Sequence, residues 1–137
     1  MIKMQEDLRS ILVSSPVGAL VSNRISWGIR PQSGIIPSLV LSQIAGVPYY
    51  VYSGKIAYTQ TRVQYEVFTA DYGSGQSIFR ACVDAISGFK GVVGETEFLG
   101  ILLIGLYDDT EEVGTASQQV VRTVFETYCY WSEKETV

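Results

Sequence analysis

Apolar positions recur along this chain with two different periods, and the changes of period mark the elements. Alternation is cleanest over residues 60–70, where Val63, Tyr65 and Val67 fall on one side and Arg62, Gln64 and Glu66 on the other, the period-two pattern of a strand. Residues 118–131 alternate in the same way. There Arg122, Val124, Glu126, Tyr128 and Tyr130 stand against Val121, Thr123, Phe125, Thr127, Cys129 and Trp131, which predicts a long closing strand. Residues 98–107 are almost continuously apolar, interrupted by Gly100 and Gly105, and read as a central strand. Leu39, Val40, Leu41 and Ile44 give residues 37–45 the character of a strand buried on at least one face, and residues 24–28 are a short extended piece.

Elsewhere the period lengthens to that of a helix. Leu8, Ile11 and Leu12 define an amphipathic helix over residues 4–14 with Asp7 and Arg9 outward. Ser15 followed by Pro16 starts a further turn that runs to residue 21, because Ser caps and Pro is preorganised for the first helical position. A third helix carries Ile78, Phe79, Cys82, Val83 and Ile86 over residues 76–87, with Ser74 as the expected cap and Gly88 as the stop. Residues 30–34 form a turn by composition, residues 88–94 a glycine-punctuated turn, and residues 46–59 a long loop or protruding hairpin.

This order lacks the regular strand–helix alternation of a parallel sheet. It predicts one α+β domain over residues 1–137, an antiparallel or mixed sheet of about five strands with helices packed on one face. Val63, Tyr65, Val67, Ile78, Cys82, Ile86, Ile101, Leu103 and Val124 are the expected core. With 47% hydrophobic and 18% charged residues the chain can bury such a core, and its charged fraction falls below that of an average globular protein.

The chemistry available is narrow. The sequence contains no His, which removes the usual general base and the commonest neutral metal ligand. Cys82 and Cys129 fall in apolar periodic segments and read as buried reduced thiols; two Cys without His do not make a structural zinc site. The acidic stretch at residues 108–112 lacks the ligand spacing of a calcium loop and reads as a solvated turn. The turn Gly73-Ser74-Gly75 could offer amides to an anion, but Ile78 stands where a dinucleotide fingerprint needs Gly. Glu95 and Glu97 would share one side of a strand without an apolar pocket to separate their acidities. No enzymatic activity, cofactor or metal is expected.

The net charge of -4 argues against nucleic-acid binding, which draws on Lys and Arg. The N-terminus lacks the order of a signal peptide and the longest apolar run is too short to span a bilayer, so a soluble protein without a membrane partner is expected. Nine Tyr and two Trp point instead to protein contact. Tyr49, Tyr50, Tyr52 and Tyr58, with Lys55 among them, are the candidate interface on the 46–59 segment. Arg62, Gln64 and Glu66 form a polar stripe that reads as a solvated sheet face or, in a ring, as a lumen or subunit-interface surface.

The ordered set Leu8-Arg9, Ile25-Ser26-Trp27-Gly28, Pro31-Gln32, Ile36-Pro37, Ile44-Ala45-Gly46 and Arg62-Val63-Gln64-Tyr65-Glu66-Val67-Phe68 resembles the tail terminator, or tail completion, proteins of long-tailed phages. Asp71-Tyr72 before the third helix, the apolar strand, the acidic loop and the aromatic strand ending at Trp131 keep that family's order. The resemblance implies a virion subunit assembled in the host cytoplasm into a homo-oligomeric ring, a hexamer in the family, at the head-proximal end of the tail tube. Such a ring ends tube polymerisation and docks the neck. Its partners would be its own copies, the tail tube protein and a neck or head-completion protein, with DNA only passing through the lumen. Head-closure or neck adaptor rings are the nearest alternative, and gene transfer agents use similar subunits.

Overall fold

A computed structural model describes residues 3–28, 36–50, 52–54, 56–107 and 120–133, and among these the two sequence periods resolve into three helices and six strands. The helices are α1 (Lys3–Ser14), α2 (Pro16–Leu20) and α3 (Tyr72–Ile86). The strands are β1 (Ile25–Trp27), β2 (Ser38–Tyr50), β3 (Ile56–Thr69), β4 (Gly91–Val93), β5 (Thr96–Tyr107) and β6 (Val121–Glu133). They form one curled, half-barrel sheet in the order β1-β2-β3-β6-β5-β4, in which β1 joins β2 in parallel and every other pairing is antiparallel. The class is therefore α+β with a mixed sheet, as expected.

Two expectations change. The strand count is six because Gly91–Val93, read as part of a turn, folds back on Thr96–Phe98 as a short hairpin. The central strands are β3 and β6, each paired along both edges, and not β5, which meets β4 only at its first residues. Of the two readings of 46–59, a long loop or a protruding hairpin, the hairpin is the one formed: β2 runs to Tyr50 and β3 resumes at Ile56. The turn at 30–34 and the acidic stretch at 108–112 lie outside the described residues.

The core lies between one sheet face and the helices. Leu8, Leu12, Val17, Ile78, Cys82 and Ile86 from the helices meet Val63, Tyr65, Val67, Phe98, Ile101, Phe125 and Cys129 from the strands. Tyr65 stacks on Phe125 at 4.5 Å between ring centroids, and Phe79 of α3 meets Phe125 edge-on at 4.9 Å. Such pairs add to the area term. Seven of the expected core residues sit in this cluster, while Leu103 packs half-buried at its margin. Val124 is buried on the opposite face, because β6 turns its odd-numbered residues towards the helices and Val124 pairs with Glu66.

Polar groups on the inner face are matched within it. The Tyr65 hydroxyl shares a 2.9 Å hydrogen bond with Thr127, and Trp131 Nε1 donates to Thr61 Oγ1 at 2.9 Å. Burial holds the Tyr65 phenol well above its ordinary range and pushes the Cys82 and Cys129 thiols up to about 12 and about 11. Both thiols are free and buried, as expected from their periodic positions.

Helix α1 uses polar side chains to fix the sheet's corners, and this corrects the outward placement of Asp7 and Arg9. Arg9 Nε donates to the Ile25 carbonyl at 2.7 Å, and Trp27 Nε1 donates to the Gln5 carbonyl at 2.9 Å, so α1 holds β1. At the other corner Thr96 Oγ1 donates to Asp7 Oδ2 at 2.6 Å. Gly75 belongs to α3 and not to the preceding turn. A Cβ there would stand 2.7 Å from Thr123 Oγ1, so glycine lets the helix approach β6 closely.

Candidate assembly surface

The face of the sheet turned away from the helices is built by the second phase of the same alternation. Along β3 it presents Tyr58, Gln60, Arg62, Gln64, Glu66 and Phe68, and along β6 Arg122, Val124, Glu126, Tyr128 and Tyr130. Val40 of β2 packs with Phe68 and Val120 into a small apolar cluster at one end. Towards the other end the face becomes aromatic.

Its charges are satisfied across the strand pair. Arg62 makes a two-pronged bond to Glu126, Nε to Oε1 at 3.1 Å and Nη2 to Oε2 at 2.9 Å. Arg122 Nε donates to Glu66 Oε2 at 2.8 Å. In the strand register Arg62 faces Tyr128 and Glu126 faces Gln64, so the first contact is diagonal; the second is diagonal as well, with Glu66 opposite Val124. Each strand contributes one cation and one anion. The middle of the face is thus neutral in pairs, and Glu126 can be buried because its partner forks onto both carboxylate oxygens.

Beyond this lattice the tyrosines form a connected patch. Tyr49 of β2 stacks on Tyr58 of β3 at 4.7 Å with planes 17° apart, Tyr58 lies 6.4 Å from Tyr130, and Tyr130 lies 6.3 Å from Tyr128. The Tyr49 hydroxyl donates to Gln60 Oε1, and Gln60 Nε2 donates to the Tyr130 oxygen, each at 3.1 Å. Side-chain freedom is therefore reduced before any partner arrives, which favours aromatic contact surfaces.

The structure joins two groups of residues that the sequence presented separately. Tyr49 and Tyr58 continue into the stripe of Arg62, Gln64 and Glu66 as one surface. Tyr50 and Tyr52 project instead at the hairpin tip, Tyr50 64% exposed and Tyr52 fully so. Lys55 lies outside the described residues. Sequence reasoning missed the β6 half of the surface, Arg122, Glu126, Tyr128 and Tyr130, although their shared phase was visible; only the β3·β6 register shows which stripe they join.

The other candidates for chemistry come apart. Asp71, not Ser74, caps α3: its carboxylate accepts from the Ser74 amide at 3.1 Å and from the Ser74 hydroxyl at 2.6 Å. An anion at this helix start would meet a carboxylate already in place. Glu95 falls in the turn before β5 while Glu97 is an exposed strand residue, so the two do not share a strand side. Among the described residues no group of His, Cys, Asp and Glu could hold a metal ion, and no helix is long and apolar enough to cross a membrane.

No family model and no curated protein matches the sequence. Among solved structures, the fold is similar to a chain from the virion of a native gene transfer agent particle, with a TM-score of 0.60, 17% identity, and coverage of 92% of this chain and 93% of that one. At that identity the likeness is one of fold, and it spans nearly the whole of both chains.

Proposed function

We propose that this protein is a structural subunit of a phage-type particle, one whose copies close into a six-membered ring at the head-proximal end of a tail tube. There the ring ends tube growth and offers its other side to the neck. The observation that carries the reading is the near end-to-end sharing of fold with a chain of a gene transfer agent virion. The ordered motifs that resemble tail terminators give the finer position.

Physical arguments support it. A polymer end stops growing when the surface that accepts the last subunit presents no copy of itself onward, and a ring with two different sides meets that need. The Tyr49 to Tyr58 hairpin supplies exposed aromatics for the tube. The open sheet face suits the lumen, because Arg62 and Arg122 are held by Glu126 and Glu66 and leave little cationic field to retard a sliding duplex. In this role the protein acts without catalysis and without a cofactor.

Tube subunits alone should polymerise to uncontrolled length, and adding the protein should give tubes with a ring at one end by electron microscopy. Replacing Tyr49, Tyr50 and Tyr52 by Ser should weaken capping while the circular dichroism spectrum stays unchanged. Failure of the unaltered protein to recognise any tube end would remove the terminator role. Binding to the capsid connector instead would place it in the neck.

A further inference from the structure

The two margins of the sheet are unusual for a small protein. Strand β1 covers β2 only at Leu39–Leu41, where Gly28 N–H also takes the Leu41 carbonyl; among the described residues nothing pairs with the outer edge of β2 over 42–50. At the opposite margin β4 covers β5 only at Thr96–Phe98, and Gly88 N–H takes the Ile101 carbonyl; the edge over 102–107 again has no strand beside it among the described residues. Open edges are templates for pairing, and proteins usually blunt them with Lys or other charge. Neither segment, Ser-Gln-Ile-Ala-Gly-Val-Pro-Tyr-Tyr or Leu-Leu-Ile-Gly-Leu-Tyr, contains a charged residue. Ile44, Val47 and Leu102 are each about half exposed, and Ile104 is 38% exposed.

We propose that these two edges are made for each other, the β2 edge of one copy pairing with the β5 edge of the next. Three antiparallel steps separate β2 from β5, so the two strands run in opposite directions. A second copy set alongside in the same orientation therefore brings β5 antiparallel to β2, and the up-and-down order continues across the junction. The caps sit at opposite ends. β1 guards the Leu39–Leu41 end of β2, in register with Tyr65 and Val67 of β3, while β4 guards the other end of the sheet, beside Trp131 of β6. A shift along the strand direction brings the two open segments level. Each carries a bulge, at Ile44 and at Ile104, which adds twist and restricts the edge to a strand of matching curvature. Pro48 removes a donor, so the contact is centred on 42–47. The pairing is heterologous and can close a ring, whereas a twofold β2-to-β2 contact would leave the apolar β5 edge bare. This names the junction of the ring proposed above, and the experiment separates the two ideas.

Lys at either edge should abolish assembly. Ile44→Lys and Ile104→Lys should each elute at monomer mass with an unchanged circular dichroism spectrum, where the parent elutes as a ring. Mixed together they should give a dimer and nothing larger, because each variant keeps the one good edge that the other lacks. As a second measurement, single Cys substitutions along 42–47 and along 102–105 should form disulfides only between a β2 variant and a β5 variant, since Cys82 and Cys129 are buried. A parent that is monomeric at every concentration, cross-links only within one edge type, or Lys variants that still form rings would overturn the pairing. Rings joined through these edges that ignore tube ends would sink the terminator role and leave the pairing standing; tubes capped by Ile44→Lys would do the reverse.

Discussion

The two faces of the β3·β6 pair are made by the same alternation and hold together differently. On the inner face Tyr65 and Phe125 stack beneath α3, and stability comes from apolar area withdrawn from water, roughly 25 cal/mol per Å². On the outer face Arg62 with Glu126 and Arg122 with Glu66 lock positions, but desolvation offsets most of the Coulombic gain. The inner face makes the fold stable, and the outer face makes a surface of fixed shape.

The most direct way to break this contrast is Phe125→Ala. Phe125 is fully buried between Tyr65 and Phe79, so its loss should cost about 3–5 kcal/mol in denaturant unfolding. Tyr130→Ala on the outer face should cost less than about 1 kcal/mol. Equal costs would mean that the outer face is a second core and not an assembly surface.

Why the sequence disclosed the inner face and not the outer one follows from particular residues. Val63, Tyr65, Val67, Ile78, Cys82 and Ile86 could be placed because burial imposes a period that survives without knowledge of neighbours. Val124 misled because an apolar residue in a strand shows its phase but not which phase faces the helices. The diagonal Arg62–Glu126 contact depends on a register between segments far apart in sequence, which no local pattern encodes. The long apolar run of β5 implied a strand with neighbours on both sides, whereas β5 pairs along its length with β6 and, on its other side, has only the short β4 among the described residues, which leaves its edge over 102–107 without a strand among them. Gly91–Val93 was too short to show alternation.

A smaller effect sharpens the account of the outer face. Glu126→Gln removes the anion that Arg62 grips, and because the Arg62 side chain is 37% exposed, water can compensate part of the loss; a cost of about 1–2 kcal/mol is expected. Replacing both, as Arg62→Met with Glu126→Leu, should cost less than the single change, since no charge is left without its partner. A double-mutant cycle by equilibrium unfolding measures the coupling. A double variant as unstable as the sum of its parts would mean that the pair supplies stability outright.

The smallest effect concerns the start of the helix that covers the inner face. Asp71 caps α3, and its hydrogen bonds from the Ser74 hydroxyl and then the Ser74 amide hold its carboxyl below the ordinary 3.8. A carboxyl whose acidity is strengthened by folding binds fewer protons in the native state than in the unfolded one. Its contribution is therefore complete above the ordinary value and fades as pH falls through the lowered native value. Asp71→Ala should lower the melting temperature slightly at neutral pH, and the gap from the parent should close in acid. Asp71→Asn keeps an acceptor that does not titrate, so its gap from Asp71→Ala should stay constant over the same range. If the parent and Asp71→Ala instead remain equally far apart in acid, the cap works by shape alone, and the charge at the head of α3 contributes nothing to holding the covering layer in place.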